Sequence, residues 1–250
     1  MKRKWNDRTL EREVRVGKVR AISRLITLLE SGNPDAQAMV DRFGSPQEPA
    51  EVIGITGYPG AGKSTLIDQL ITVYRSQGKK VGVLVIDTSS PFTGGALLGD
   101  RIRMQDHSMD EQVYIRSMAT RGHRGGLART TRQALRVLEV AGFEVVLIET
   151  IGVGQEEGEI TQLAPKVVVV VAPGLGDEVQ AMKAGILEVA HLVVVNKADH
   201  PYANATIHAL QAWVPMVLPT VALKGEGIQQ VVEALGVRSE VMTDESPLFV

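Results

Sequence analysis

Apolar positions along this chain follow two different periods, and the change between them divides it. In the first four dozen residues they recur every three or four positions. Val14, Val16, Val19, Ile22, Leu25, Ile26 and Leu29 form one stripe with charges between them, which predicts an amphipathic helical run stopped by Ser31-Gly32-Asn33-Pro34. A second short helix is expected over 35–43, and Ser45-Pro46-Gln47-Glu48-Pro49 reads as a linker. From residue 51 onward, short β-branched runs alternate with helical spacing. The strands are expected at 52–56, 81–87, 145–149, 167–172, 192–196 and 216–220, and the helices at 64–76, 127–141, 178–190, 203–213 and 228–235. Most of the strands are apolar along their whole length, the pattern of a parallel sheet with helices on both faces. The expected architecture is therefore an α/β fold with a mostly parallel central sheet. A helical N-terminal extension occupies 1–48, the main domain 49–236, and a flexible tail 237–250. No internal repeat is visible.

Composition narrows the function classes. With 250 residues and 44% hydrophobic content the chain can bury a sizeable core, and a net charge of −2 argues against a general nucleic-acid or membrane-surface binder. The absence of cysteine excludes disulfides, thiolate metal sites and cysteine nucleophiles. The apolar run from Val167 to Ala172 is far too short to span a bilayer. The basic start Met1-Lys2-Arg3-Lys4-Trp5 leads into no apolar signal core, so a cytoplasmic location is expected. His107, His123, His191, His200 and His208 are scattered and form no close pair of metal-ligand spacing.

The chemistry is carried by motifs at the carboxyl ends of the expected strands, where such sheets bind ligands. Gly57-Tyr58-Pro59-Gly60-Ala61-Gly62-Lys63-Ser64-Thr65 joins a strand to a helix and fits the phosphate-binding P-loop. Glycines let the backbone wrap phosphate with its amides, Lys63 supplies a charge for the β- and γ-phosphates, and the Ser64 hydroxyl suits magnesium. This predicts a nucleoside triphosphate as ligand. Asp87, Asp100 and Glu149 are the acidic groups available to hold that magnesium directly or through water. Gly152 suits a backbone contact to the γ-phosphate, and Gln155, three residues later, is a candidate to orient the attacking water. Asn196-Lys197-Ala198-Asp199 matches the guanine-recognition motif. The Asp199 carboxylate can accept from guanine N1–H and the exocyclic amine, Asn196 braces the loop, and the Lys197 stem can lie against the base. Thr220 to Gly227 fits the last GTPase loop, where Ala222 and Leu223 would meet the base.

With these residues in place, the chain resembles the MeaB/ArgK family of GTPases, chaperones of adenosylcobalamin-dependent methylmalonyl-CoA mutase once called LAO/AO transport system kinases. The resemblance runs from about Val16 to Gly236. It is most specific in Thr93-Gly94-Gly95-Ala96-Leu97-Leu98-Gly99-Asp100-Arg101 and in the run from Gly176 to Gly185. It implies a SIMIBI-type G domain, with Mg²⁺ and GTP or GDP served by Lys63, Ser64, Asp87, Asp100 and Glu149, and guanine held by Asn196, Lys197 and Asp199. It also implies that Asp177, Gln180 and Lys183 belong to an extra switch coupling the nucleotide to an acyl-CoA mutase partner. The implied activity is slow, partner-stimulated GTP hydrolysis that gates cofactor loading or protection. Thr88 stands where the family usually has proline. Family members commonly dimerise through a long C-terminal helical extension, whereas here about two dozen residues follow Gly227, which leaves a homodimer open. Two other readings stay open at this point: a kinase or ATPase acting on a transport binding protein, and a nickel-delivery GTPase.

Overall fold

In the computed structural model, residues 7–46, 48–87, 107, 109–119, 126–151, 157–174 and 186–236 are described. Seven parallel strands form one sheet: β1 (Glu51–Thr56), β2 (Val81–Asp87), β3 (Val113–Ala119), β4 (Val145–Ile151), β5 (Lys166–Val171), β6 (Leu192–Asn196) and β7 (Val217–Thr220). Their spatial order is β3-β2-β4-β1-β5-β6-β7, so β1 stands at the centre, paired to β4 on one side and β5 on the other.

Side chains alternate across each strand, and the two sets have different covers. Ile53 and Ile55 of β1, Val145 and Leu147 of β4 and Val168 and Val170 of β5 pack against α4 (Lys63–Ser76) and α8 (Ile228–Gly236), through Leu66, Leu70, Tyr74, Val231 and Leu235. On the opposite face, one half of the sheet lies under α1 (Asp7–Arg15), α2 (Val19–Glu30), α3 (Pro34–Asp41) and α5 (Gly126–Val140). The other half lies under α6 (Glu157–Leu163) and α7 (Ala203–Gln211), with Ile160, Leu210 and Val214 against Val167, Val169 and Val193. The N-terminal helices thus bury Val14, Ile22, Leu25 and Ile26 against the same apolar cluster as Leu84, Ile86 and Val137.

Three local expectations change. The N-terminal stripe is two helices, because the chain turns at Gly17, whose φ of +74° belongs to the left-handed region. Val16 and Val19 keep helical spacing in the sequence but stand 64% and 42% exposed on either side of that turn. The edge strand β3 was not expected, since Val113-Tyr114-Ile115-Arg116-Ser117-Met118-Ala119 interrupts its apolar residues with Arg116 and Ser117. Arg116 is accommodated there by an ion pair with Glu30 and a 3.1 Å hydrogen bond to Thr27 Oγ1, both on α2. Third, β4 continues two residues past Glu149, to Ile151. Of the helix expected over 178–190, the described end is a 3₁₀ turn, Ile186–Val189, and the rest lies outside the described residues, as does the expected tail at 237–250. None of the described helices is long and apolar enough to cross a membrane.

Candidate functional site

The loop between β1 and α4 is shaped by two glycines. Gly57 has φ +135°, and a Cβ there would run into the Val170 carbonyl oxygen of β5. Gly62, at φ +97°, caps the N-terminus of α4, and a Cβ there would run into the Asn196 amide nitrogen. Any side chain would therefore push the loop off its neighbouring strands. Helix α4 then starts at Lys63, so its N-terminal turn and the positive end of its dipole lie at the loop, an arrangement that favours anions. Lys63 curls back over the loop, donating from Nζ to the carbonyls of Gly57 at 2.7 Å and Tyr58 at 3.2 Å, and is 7% exposed. Pro59 and Gly60 form its exposed tip, and Thr65 lies half-buried one residue past Ser64.

Glu149 shares the face of β4 used by Val145 and Leu147, which turns it toward α4. Its Oε1 accepts a hydrogen bond from Ser64 Oγ at 3.1 Å, and both residues are buried. Two hard oxygen donors are thus brought together beside the phosphate loop, a donor set that suits magnesium. Asp87 ends β2 in register with Ile151, with β4 standing between β2 and β1. Asp100, Gly152, Gln155, Asp177, Gln180 and Lys183 lie outside the described residues.

The opposite flank is organised around Asn196, the buried last residue of β6. Its Nδ2 donates to Ala61 O at 2.9 Å, while its Oδ1 accepts from Thr220 Oγ1 at 3.2 Å and from Ala222 N at 3.0 Å. One amide therefore ties together the phosphate loop, the end of β6 and the loop after β7. Ala198 N to Thr220 O at 2.9 Å adds a second tie. Lys197 adopts φ +60°, unusual for a residue with a side chain, and reaches Gly60 O with its Nζ at 2.9 Å. Beyond it, Asp199 accepts a 3.1 Å hydrogen bond from Lys224, both side chains being more than half exposed. The Lys224 ammonium holds the Asp199 carboxyl below the usual carboxylate range, and the carboxylate in turn raises Lys224. Ala222 is buried in a 3₁₀ turn, Ala222–Lys224, with Leu223 fully presented at its rim, 86% exposed. Next to Asp199 opens a cavity of about 380 Å³ lined also by Leu218, Pro219, Glu226 and Gln230.

The structure thus gathers Gly57 to Thr65 with Glu149 at one flank of the β1 edge, and Asn196, Lys197, Asp199, Ala222 and Leu223 at the other. The sequence places Thr220 and Lys224 in the last expected loop but assigns no role to either side chain. Nor does it mark a clasp in which His107 meets Asp68 Oδ1 at 3.3 Å and Arg75 donates to Asp110 at 2.8 Å, pinning that segment to α4. These partners are 35 or more positions apart, so no local pattern marks them.

The family described as methylmalonyl Co-A mutase-associated GTPase MeaB matches residues 22–247. The chain belongs to the MeaB family of GTPases. A GTPase-family protein of Pyrococcus abyssi is 48% identical over 90% of the chain and 73% of its own length. GTPase ArgK of Escherichia coli is 36% identical over 90% of the chain and 73% of its own length. Among solved structures, a LAO/AO transport system kinase superposes with a TM-score of 0.72 at 28% identity, covering 93% of the chain and 76% of that protein. As a MeaB-family member the protein is a P-loop GTPase, and its α/β sheet is the sheet of that fold.

Proposed function

We propose that this GTPase is a chaperone that uses GTP binding and hydrolysis to gate cofactor loading, or protection, of an adenosylcobalamin-dependent acyl-CoA mutase. The observation that carries the reading is the family match, whose description names the mutase; the hydrogen bond from Ser64 to Glu149 and the bonds of Asn196 to Ala61 and Ala222 support it. In this reading GTP lies across the ends of β1 and β6. Loop amides and Lys63 meet the β- and γ-phosphates. Asp199 meets guanine N1–H and the exocyclic amine, the Ala222 turn lies near O6 with its own N–H held by Asn196 Oδ1, and exposed Leu223 and the Lys197 stem flank the ring. Ser64 and Glu149 would hold magnesium, with Asp87 and Asp100 the further expected ligands; the ion would supply charge neutralisation of the phosphates. Lys63, whose ammonium is held at the loop by the Gly57 and Tyr58 carbonyls, neutralises charge on the transferring phosphoryl group as water attacks. Gln155 is the proposed water-orienting residue and Gly152 the proposed γ-phosphate contact. Asp177, Gln180 and Lys183 would couple nucleotide state to the partner. Cytoplasmic location accompanies this reading.

The experiment is GTP turnover with and without an adenosylcobalamin-dependent methylmalonyl-CoA mutase. The protein alone is expected within an order or two of the roughly 10⁻⁴ per second of unassisted small GTPases, with a clear rise when the mutase is added. Gln180→Ala with Lys183→Ala is expected to abolish most of that rise. A rate of about 10 per second without a partner contradicts the switch reading and favours an ordinary metabolic NTPase.

A further inference from the structure

We propose that Lys224 is a positioning residue for base recognition, whose ammonium holds the Asp199 carboxylate in the orientation that reads the guanine edge. The inference deepens the proposed function and rests on its assignment of Asp199 to the base. Asp199 is exposed, so unlike Asn196 it is not oriented by burial. Yet reading both N1–H and the exocyclic amine requires its two oxygens to lie in one plane with the base. Of the contacts that Asp199 makes to other side chains, the structure shows the one from Lys224 Nζ to Oδ2 at 3.1 Å.

Lys224 is itself well anchored. It ends the 3₁₀ turn Ala222–Lys224, its N–H donates to Val221 O at 2.8 Å, and Gly225 caps the turn with φ +71°. That turn is fixed to the β6 loop by the Asn196 bond to Ala222 N, so both partners of the pair belong to one cross-tied unit. A carboxylate oxygen accepts more than one hydrogen bond, so a lysine at Oδ2 leaves acceptor capacity for the base. Asp199 also borders the cavity of about 380 Å³, which gives the carboxylate open space to rotate into once the lysine is removed. Freed from Lys224, the group spreads over rotamers, and the two-point contact with guanine suffers more than a one-point contact.

Inosine nucleotides provide that one-point comparison, because they keep N1–H and lack the exocyclic amine. For Lys224→Met, which keeps an unbranched stem and removes the charge, GDP affinity is expected to fall about tenfold and IDP affinity about twofold, in the range of one charge-assisted hydrogen bond. The loss in turnover is expected in KM for GTP rather than in kcat. Lys224→Arg, which restores a cationic donor, is expected to recover most of the GDP preference. Thermal midpoints of both variants are expected to match the parent, since an exposed pair contributes little to folding. An unchanged GDP-to-IDP ratio in Lys224→Met overturns the proposal, and tighter GDP binding overturns it in favour of a lysine that competes with the base. Asp199→Asn serves as the separate arm. If it gains XDP while Lys224→Met keeps the parent ratio, the lysine proposal alone fails. If it gains no XDP, the assignment of Asp199 to the base fails.

Discussion

The two flanks of the nucleotide edge are built on opposite plans. On the phosphate flank the working groups are inside: Lys63, Ser64 and Glu149 are 7%, 8% and 2% exposed and bonded to the loop or to one another. On the flank proposed for the base, the brace is inside and the proposed reader is outside. Asn196 is 3% exposed, whereas the Asp199 side chain is 51% exposed and held by an equally open lysine. Burial suits charge stabilisation, because a pre-aimed ammonium acts more strongly where water is excluded. Recognition of a base that must enter and leave instead needs an accessible carboxylate. In the proposed site, chemistry and selectivity are thus separated by solvent exposure, and substitutions on the two flanks should fail in different ways.

The largest effect should come from the exposed reader. A site that pairs a polar edge can reject a mismatched one by roughly 10⁴-fold, so GTP should outcompete ATP by about that factor. Asp199→Asn should transfer the preference to xanthosine nucleotides, whose C2 carbonyl accepts where guanine donates, and leave the thermal midpoint unmoved. Competition titrations and a melting curve check both halves; equal ATP and GTP affinity in the parent would remove the basis of the comparison. Next, Lys63→Ala should lower single-turnover hydrolysis about 10³-fold, the upper range for one pre-aimed donor. A smaller, structural loss is expected from Asn196→Ala. It strands Ala61 O, Thr220 Oγ1 and Ala222 N, and should destabilise by about 2–3 kcal/mol, roughly 5–10 °C in midpoint. A melting curve that does not move would show that the two flanks are not tied through Asn196.

The smallest effect sharpens the comparison away from the nucleotide edge. Asp110 is held below the usual carboxylate range, first by its hydrogen bond from Arg75 and then by Gln112 N–H, with His107 also facing it. A depressed carboxyl binds protons less readily folded than unfolded, so its contribution is present above the ordinary aspartate range and is lost as pH falls through its lowered value. Asp110→Asn should therefore lower the midpoint by about a degree at neutral pH, with the difference closing in acid. Paired melts at pH 7 and near pH 3 measure it.

Much of the fold was legible because central parallel strands must be apolar on both faces. The runs at β1, β2, β4, β5 and β6 are rich in Val, Ile and Leu, and their positions could be read directly. The edge strand β3 escaped because Arg116 and Ser117 interrupt its apolar residues, and Arg116 is paired by α2 from more than 80 positions away. The break at Gly17 escaped because Val16 and Val19 preserve helical spacing across a turn. At the site, the phosphate loop and the base-reading tetrad were readable as contiguous motifs. The partners that aim them were not, since Ser64 meets Glu149 across 85 positions and Asn196 meets Ala61 across 135.

By itself the sequence determined which groups are available to the proposed nucleotide site: a glycine loop with Lys63 and Ser64, an acidic Glu149, and a carboxylate at Asp199. Those choices are local, because backbone freedom, charge and hydrogen-bonding type belong to individual residues. Tertiary structure alone decided which of them are enclosed and what holds them. It buried Lys63 over the Gly57 carbonyl, made Asn196 the tie between three loops, and left Asp199 in solvent beside Lys224. The reason is geometric. Parallel strands bring the carboxyl ends of distant segments side by side, and only there do groups separated along the chain come within hydrogen-bonding reach.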